Sequence, residues 1–339
     1  MITIGYIGNG KSTNRYHLPY VLQRKYKFNV KTIYARNLNK NDWDKIPGIN
    51  YTDNLNDLLA DNDIDLIVIC TNVDSHFEYA KLVLENNKHC LVEKPFMENL
   101  VQTKQIQALA KEKNLVIQAY QNRRYDSDFI TTKNVIESNK LGELLELEMH
   151  FDYYRLETSE SIKSYNANQS YLYNHGCHTI DQVISYFGKP DNMHMDVRQL
   201  LGQHRMNDYF DLDFYYNNFK VSIKSSFFRV KERPSFVVYG KKGCFIKQTK
   251  DRQEEFLKNF IMPSDSMFGI DEEKHYGTLY YYDENNVYKE EKIVSAVGDY
   301  GIVYDDLYNV IINKADKVIS DEQILLQMEI LEKGVQHLY

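Results

Sequence analysis

Paired cysteines, long apolar runs and an excess of basic charge are all missing from this sequence. The only cysteines are Cys70, Cys90, Cys177 and Cys244, and no two of them form a C-x-x-C pair. All four lie in or beside apolar runs, where a thiol packs as a small hydrophobe. This pattern argues against disulfides and makes a reducing cytoplasm the expected compartment. No stretch approaches the roughly 20 apolar residues of a membrane span. The first apolar run, Met1 to Ile7, is too short for a signal peptide and already contains glycine. With a net charge of -7 the chain lacks the basic excess expected for broad binding to nucleic acid or membrane. Internal repeats and low-complexity segments are absent as well.

What is present is an ordinary globular composition, 43% hydrophobic and 26% charged. Its 339 residues exceed one typical core and suit two domains. Up to about residue 120, short apolar runs alternate with helical patterns, the rhythm of a doubly wound parallel sheet. The expected strands are Ile2–Ile7, Asn29–Tyr34, Leu66–Cys70, His89–Val92 and Val116–Tyr120, with helices at Ser75–Glu85 and Leu100–Lys113. Leu66 to Cys70 is apolar on both faces, as a central parallel strand should be. Asp74 or Ser75 is the expected cap of the first helix.

After Tyr120 the rhythm changes. A helix over Phe129–Ser138 leads into a long half-exposed strand from Glu143 to Tyr154, and a helix follows at Cys177–Tyr186. Further strands are expected at Asp211–Tyr216, Lys220–Phe228, Phe236–Tyr239, Cys244–Lys247 and Leu279–Tyr282, with a hairpin turn at Gly240–Gly243. Helices over Tyr300–Asn313 and Asp321–His337 close the chain. The expected architecture is α/β: a Rossmann domain over residues 1–120 and an α+β domain with a large, mainly antiparallel open-faced sheet over 121–339.

The segment Gly5-Tyr-Ile-Gly-Asn-Gly-Lys-Ser-Thr13 carries two overlapping phosphate-binding patterns. As G-x-G-x-x-T, Gly8, Asn9 and Gly10 make a tight turn, with Lys11, Ser12 and Thr13 opening a helix toward a pyrophosphate. As G-x-x-x-x-G-K-S, Gly5, Gly10, Lys11 and Ser12 match the P-loop of an NTPase. A P-loop needs its strand to finish before the first glycine and a second strand that ends in a carboxylate. The central strand ends instead at Cys70-Thr71-Asn72. The dinucleotide reading is therefore preferred; a plain structural turn is the bland alternative. At the end of the second strand, Tyr34-Ala35-Arg36-Asn37 offers a cation where NAD-binding loops offer a carboxylate. Arg36 suits the 2′-phosphate of NADP, which favours NADP(H) over NAD(H). An ordinary solvent-facing arginine is the alternative.

Two further segments carry chemistry. In Val92-Glu93-Lys94-Pro95-Phe96, a lysine stands at the carboxyl edge of the sheet, where open α/β folds bind ligands. In Asn174-His175-Gly176-Cys177-His178-Thr179-Ile180-Asp181, two histidines and an acid recur at helical spacing. The row His175, His178, Asp181 has metal-like spacing, but no further ligand cluster accompanies it, and no metal is expected.

The GNGKST loop, the EKP turn, Gln121-Asn-Arg-Arg-Tyr-Asp126 and Asn174–Asp181 occur in the order and spacing of the Gfo/Idh/MocA oxidoreductases. The resemblance spans essentially the whole chain. It points to a bacterial branch with a GKSTxRYHLPY-like start and an NRR motif, related to NADP-dependent scyllo-inositol dehydrogenases. It implies that Lys94 and His178 flank the reacting carbon: the ammonium donates to the alcohol or carbonyl oxygen, and the imidazole moves the hydroxyl proton. It also implies that Asn122 lies near the nicotinamide, and that Thr71, Asn72 and His76 make adenosine- and pyrophosphate-side contacts alongside Glu93. Helix capping competes for that last stretch.

Arg124, Tyr153, Arg155, Asn174, His175 and Asp181 are candidate substrate contacts. Acidic pairing is the alternative for Arg124, orienting the His178 imidazole or helix packing for Asp181, and an ordinary buried or half-exposed histidine for His175. Asn174 stands where the family often has aspartate, and an amide cannot relay protons. The expected function is NAD(P)-dependent hydride transfer at a sugar, polyol (inositol-like) or sugar-derivative carbinol, by a homodimer or higher homo-oligomer. The alternatives are a non-catalytic dinucleotide-binding sensor of the same fold and, less favoured, a P-loop NTPase.

Overall fold

The computed structural model describes residues 1–38, 43–156, 170–202 and 205–338. By compactness the chain divides into two units. The first comprises Met1–Asn122, Phe256–Phe268 and Tyr300–Met328; the second comprises Arg123–Glu255, Gly269–Asp299 and Glu329–Tyr339. A single boundary at residue 120 assigns the whole later chain to the second domain, yet two of its stretches cluster with the first. Apolar burial accounts for this return: Leu257, Phe268 and Tyr300 pack with Tyr20 in one buried cluster.

The first unit is built on six parallel strands: β1 (Ile2–Ile7), β2 (Phe28–Tyr34), β3 (Asn50–Thr52), β4 (Leu66–Ile69), β5 (His89–Val92) and β6 (Ile117–Ala119). Their spatial order is β3-β2-β1-β4-β5-β6. This is the doubly wound dinucleotide-binding order, with its switch point between β1 and β4. The four side chains of β4 are wholly buried. Each contributes about 1.5–3 kcal/mol of apolar burial, which is why this run reads as continuous hydrophobic sequence. The helices are α1 (Leu18–Val21), which continues a π-helical segment over Ser12–His17, α2 (Asn56–Leu59), α3 (His76–Glu85) and α4 (Leu100–Glu112). Asn99 caps α4 by accepting from the Gln102 amide. The expected cap of α3 is not made: the Ser75 hydroxyl bonds to Thr71 Oγ1 and to the Asn72 carbonyl instead.

In the second unit, α5 (Ser127–Glu137) and α6 (Cys177–Phe187) accompany an eight-stranded sheet. Its strands are β7 (Leu144–His150), β8 (Asn192–Arg198), β9 (Tyr209–Tyr216), β10 (Phe219–Ser226), β11 (Phe236–Gly240), β12 (Gly243–Lys247), β13 (Gly277–Tyr282) and β14 (Tyr288–Ile293). All neighbouring strands pair antiparallel except β7 and β10, which run parallel with Leu147 opposite Val221. Leu147, Met149, Phe210, Leu212, Phe214, Val221 and Ile223 are buried on one face. The other face carries a ladder of partly exposed charges, with Lys220 on Glu146 and Asp213, and Lys224 on Asp211. The long strand expected to Tyr154 stops at His150; beyond it the Phe151 and Tyr153 amides still donate to the Lys224 and Ser226 carbonyls, and a bridge joins Tyr154 to Phe228. Three later helices, α7 (Gln253–Lys258), α8 (Ile302–Ile312) and α9 (Asp321–Val335), complete the elements.

Candidate functional site

In the first unit, the chemistry-bearing residues gather at the carboxyl ends of the strands. Gly8, Asn9 and Gly10 follow β1, Arg36 follows β2, Thr71 and Asn72 follow β4, and Glu93 and Lys94 follow β5. Asn122 lies three residues beyond β6, at the start of a short 3-10 turn, and is buried.

Gly8 has φ +111°, and a Cβ there would stand 2.5 Å from the Cys70 carbonyl oxygen. Only glycine fits this approach of loop to strand. At Gly10, by contrast, nothing lies within 4 Å of where a Cβ would be, so the loop leaves open space at its second glycine. The Thr13 hydroxyl donates to the Gly8 carbonyl at 2.7 Å, and Asn14 donates to Asn9 Oδ1 and the Gly10 carbonyl, which fixes the turn. Lys11 is exposed. Gly5 lies inside β1, paired on one side with Thr32 and on the other with Ile67. A phosphate loop cannot begin at a residue that belongs to a strand interior, which removes the structural basis of the P-loop pattern.

The EKP turn is held from several directions. Glu93 is buried; its Oε2 accepts the Lys94 amide at 3.0 Å, while Oε1 accepts the Ser12 hydroxyl and lies 3.1 Å from His17 Nε2. Ser12 therefore spends its hydroxyl on a protein carboxylate, a role its place in the glycine loop does not reveal. Burial would raise the Glu93 carboxyl, but His17, Lys94 and Ser12 together bring it down to about 2. The Lys94–Pro95 peptide is cis. His76 is buried: its Nδ1 lies 3.0 Å from the Pro95 carbonyl oxygen, and its Nε2 lies 3.1 Å from that of Thr71. Burial lowers its pKa. As a neutral ring His76 donates its one N–H to one of these carbonyls, and it fills the space between the ends of β4 and β5. Direct contact with a dinucleotide is not its evident task. Arg36 is exposed and donates from Nε to Tyr79 Oη at 3.2 Å.

These residues fit a dinucleotide: a loop that only glycine can make, open space at Gly10, and a cation at the end of β2. The site of such a cofactor would be formed by Gly8–Thr13, Thr71, Asn72, Lys94 and Arg36.

In the second unit, Arg124 meets Asp181 in a buried two-point ion pair at 2.7 Å for each contact. Burial raises the Asp181 carboxyl, and Arg124 opposes that rise. The two candidate substrate contacts thus bind each other. His178 is buried on α6, one turn before Asp181. Asn174 and His175 lie in a π-helical segment, Leu172–Gly176, that leads into α6. The His175 ring packs against Tyr171, Tyr153 and Phe151, with centroids 4.7, 5.3 and 5.9 Å away. Arg155 lies over the Tyr153 ring at 4.1 Å and Lys250 at 4.9 Å. This aromatic floor under cations was not expected beyond Tyr153, Arg155 and His175, because its members come from three separate stretches of chain. Burial pushes the Tyr153 hydroxyl up to about 12. Among the described residues, no group of three or more His, Cys, Asp or Glu side chains could hold a metal ion.

Comparison with known proteins agrees with this geometry. Residues 2–121 match the model of an oxidoreductase family with an NAD-binding Rossmann fold, and residues 129–246 match that of the GFO/IDH/MocA C-terminal domain. The chain is 44% identical over 339 residues to the uncharacterized oxidoreductase YhhX of Escherichia coli (strain K12), covering 99% of this chain and 96% of the relative. The crystal structure of a probable oxidoreductase yhhX superposes with a TM-score of 0.93 at 43% identity, covering 99% of this chain and 97% of that one. At 25% identity over 336 residues, the scyllo-inositol 2-dehydrogenase (NADP(+)) IolW of Bacillus subtilis (strain 168) is also similar, covering 99% of this chain and 93% of the relative.

Proposed function

Since the chain belongs to the Gfo/Idh/MocA family of oxidoreductases, we propose that it is an NAD(P)-dependent dehydrogenase or reductase of the CH–OH group of a sugar, an inositol-like polyol or a sugar derivative, with NADP(H) preferred. When bound, the nicotinamide supplies or accepts the hydride. Lys94 donates a hydrogen bond to the substrate oxygen and stabilises its developing charge. His178 takes or returns the hydroxyl proton. Arg36 grips the 2′-phosphate, and the backbone of Gly8–Gly10 admits the pyrophosphate. The open face of the eight-stranded sheet, with its ladder of opposite charges, serves a homodimer or higher homo-oligomer.

The observation that carries this reading is the placement of Lys94. It follows β5 at the carboxyl edge of a β3-β2-β1-β4-β5-β6 sheet, on a turn whose backbone is fixed by Glu93 and His76. The name of IolW supports the substrate class and the cofactor preference.

The test is a screen of sugars and polyols with NADPH and NADH, following absorbance of the reduced ring. Turnover is expected to fall by roughly 10²–10⁴-fold in Lys94→Ala and in His178→Ala, with cofactor affinity nearly unchanged. Tight nicotinamide binding without turnover of any sugar or polyol would favour a sensor. ATP binding without nicotinamide binding would overturn the reading.

A further inference from the structure

A buried polar cluster of the first unit is centred on a residue that the reaction does not call for. His17 is 0% exposed and stacks on Tyr120 with 4.0 Å between ring centroids. Its Nδ1 lies 2.6 Å from Tyr304 Oη, and its Nε2 lies 3.1 Å from Glu93 Oε1. Tyr304 Oη is in turn 3.0 Å from Tyr6 Oη. The same Glu93 carboxylate takes the Ser12 hydroxyl and the Lys94 amide. One imidazole thus links β1, the helical segment after the glycine loop, α8 and the EKP turn.

Hydrogen bonding alone admits either protonation state, because Tyr304 can donate to or accept from Nδ1. Charge decides between them. A buried carboxylate without a counter-ion is strongly disfavoured, and Glu93 has two cations within its reach. One is His17. The other is the neighbouring Lys94, whose charge also holds Glu93 ionised. If His17 were neutral, the Lys94 charge alone would offset a buried carboxylate that lies beside Ser12 of the glycine loop.

We infer that His17 is a positioning residue for the Lys94 turn, acting as a buried imidazolium that neutralises Glu93, so that Glu93 clamps the Lys94 amide without setting an uncompensated negative charge beside the glycine loop, where anionic ligand groups would approach. The inference rests on the reading of Lys94 and the loop given above. Burial would lower the imidazole pKa, but the adjacent Cys70 and Glu93 carry it up to about 9. The groups that face it are Tyr6 on β1, Cys70 after β4, Glu93 after β5, Tyr120 after β6 and Tyr304 on α8. Burial holds all three tyrosine hydroxyls above their ordinary range.

The test compares NADPH affinity, by fluorescence titration, in the wild type, His17→Gln, Glu93→Gln and the double variant. At pH 7, His17→Gln is expected to weaken binding by about tenfold or more, equivalent to about 1.4 kcal/mol. The double variant should recover to within about threefold of wild type, because it removes the carboxylate that His17 offsets. Wild-type affinity should fall as pH passes about 9, and Glu93→Gln should lose that fall. Unchanged binding in His17→Gln, or losses that multiply in the double variant, would overturn the inference.

Nitrogen-15 NMR of the wild-type histidines supplies a second measurement that needs no variant to fold. Two protonated ring nitrogens on His17 at pH 7.5 support the inference, and a neutral tautomer overturns it. A wild-type chain that binds neither NADPH nor NADH sinks the reading of the whole site and the affinity claim with it, while the NMR signal still decides the charge of His17.

Discussion

Arg124 and Asp181 meet fork to fork: Nε and Nη2 of the guanidinium each lie 2.7 Å from a different carboxylate oxygen, and both side chains are almost closed to solvent. Breaking such a pair from one side leaves a buried charge and costs about 3–5 kcal/mol. Arg124→Met should lower the stability of the chain to urea by that order, and Arg124→Met with Asp181→Leu should regain most of it. A loss under about 1 kcal/mol, accompanied by a raised substrate KM, would return Arg124 to the role of a substrate contact.

The two loop glycines should separate folding from binding. Gly8→Ala places a methyl group 2.5 Å from the Cys70 carbonyl oxygen at φ +111°. It should lower Tm and abolish cofactor binding together. Gly10→Ala meets no atom of the described residues within 4 Å beyond its own chain neighbours. It should melt with the wild type while weakening NADPH binding by about tenfold or more, since the added methyl stands where a phosphate would approach. Equal behaviour of the two variants in both assays would contradict this division.

Arg36 is expected to govern cofactor choice. Arg36→Ala should lower NADPH affinity about tenfold more than NADH affinity, because only NADPH carries the 2′-phosphate. Parallel losses would assign Arg36 to the Tyr79 contact alone. A tenfold wild-type preference for NADH would defeat the assignment outright.

The buried His17–Glu93 pair gives the stability of the first unit two pH limits. The folded Glu93 carboxyl titrates at about 2, below its ordinary value of 4.5. Its contribution is therefore complete above pH 4.5 and is lost as pH falls toward 2. The folded His17 imidazole titrates at about 9, above its ordinary 6.5. That contribution is complete below pH 6.5 and is lost as pH rises through 9. Neither limit belongs to the pair alone, since Cys70 also raises His17 and Lys94 and Ser12 also lower Glu93. Melting curves of Glu93→Gln should show an alkaline limb that is smaller and begins at lower pH, because Cys70 still faces His17; a limb identical to that of the wild type would show that Glu93 has no part in it.

Much of this architecture is legible in the residues themselves. β1 and β5 fall where hydrophobic periodicity puts them, because central parallel strands are buried on both faces and leave unbroken apolar runs. The strands that escaped notice, Asn50–Thr52, Asn192–Arg198 and Tyr288–Ile293, form the outer members of their sheets. An outer strand buries little, so YKEEKI can pair along its length with scarcely an apolar residue. Of the site, the Gly8 turn and Lys94 stand in motifs readable by eye. The partnership of His17 with Glu93 does not, because 76 residues separate them and only the fold makes them neighbours. The one available signal was a histidine set among apolar residues in Tyr16-His17-Leu18-Pro19-Tyr20. Likewise, an acidic partner for Arg124 was one of two open options, and spacing along the chain can neither choose between them nor name Asp181.

The discontinuity of the first unit bears on how the protein is made. Tyr304, Leu307 and the rest of Tyr300–Met328 leave the ribosome long after β1 to β6 have emerged. Until then Tyr6 and His17 lack their hydroxyl partner, and the interior begun by Met1–Asn122 must wait for residues beyond 300 before it can close.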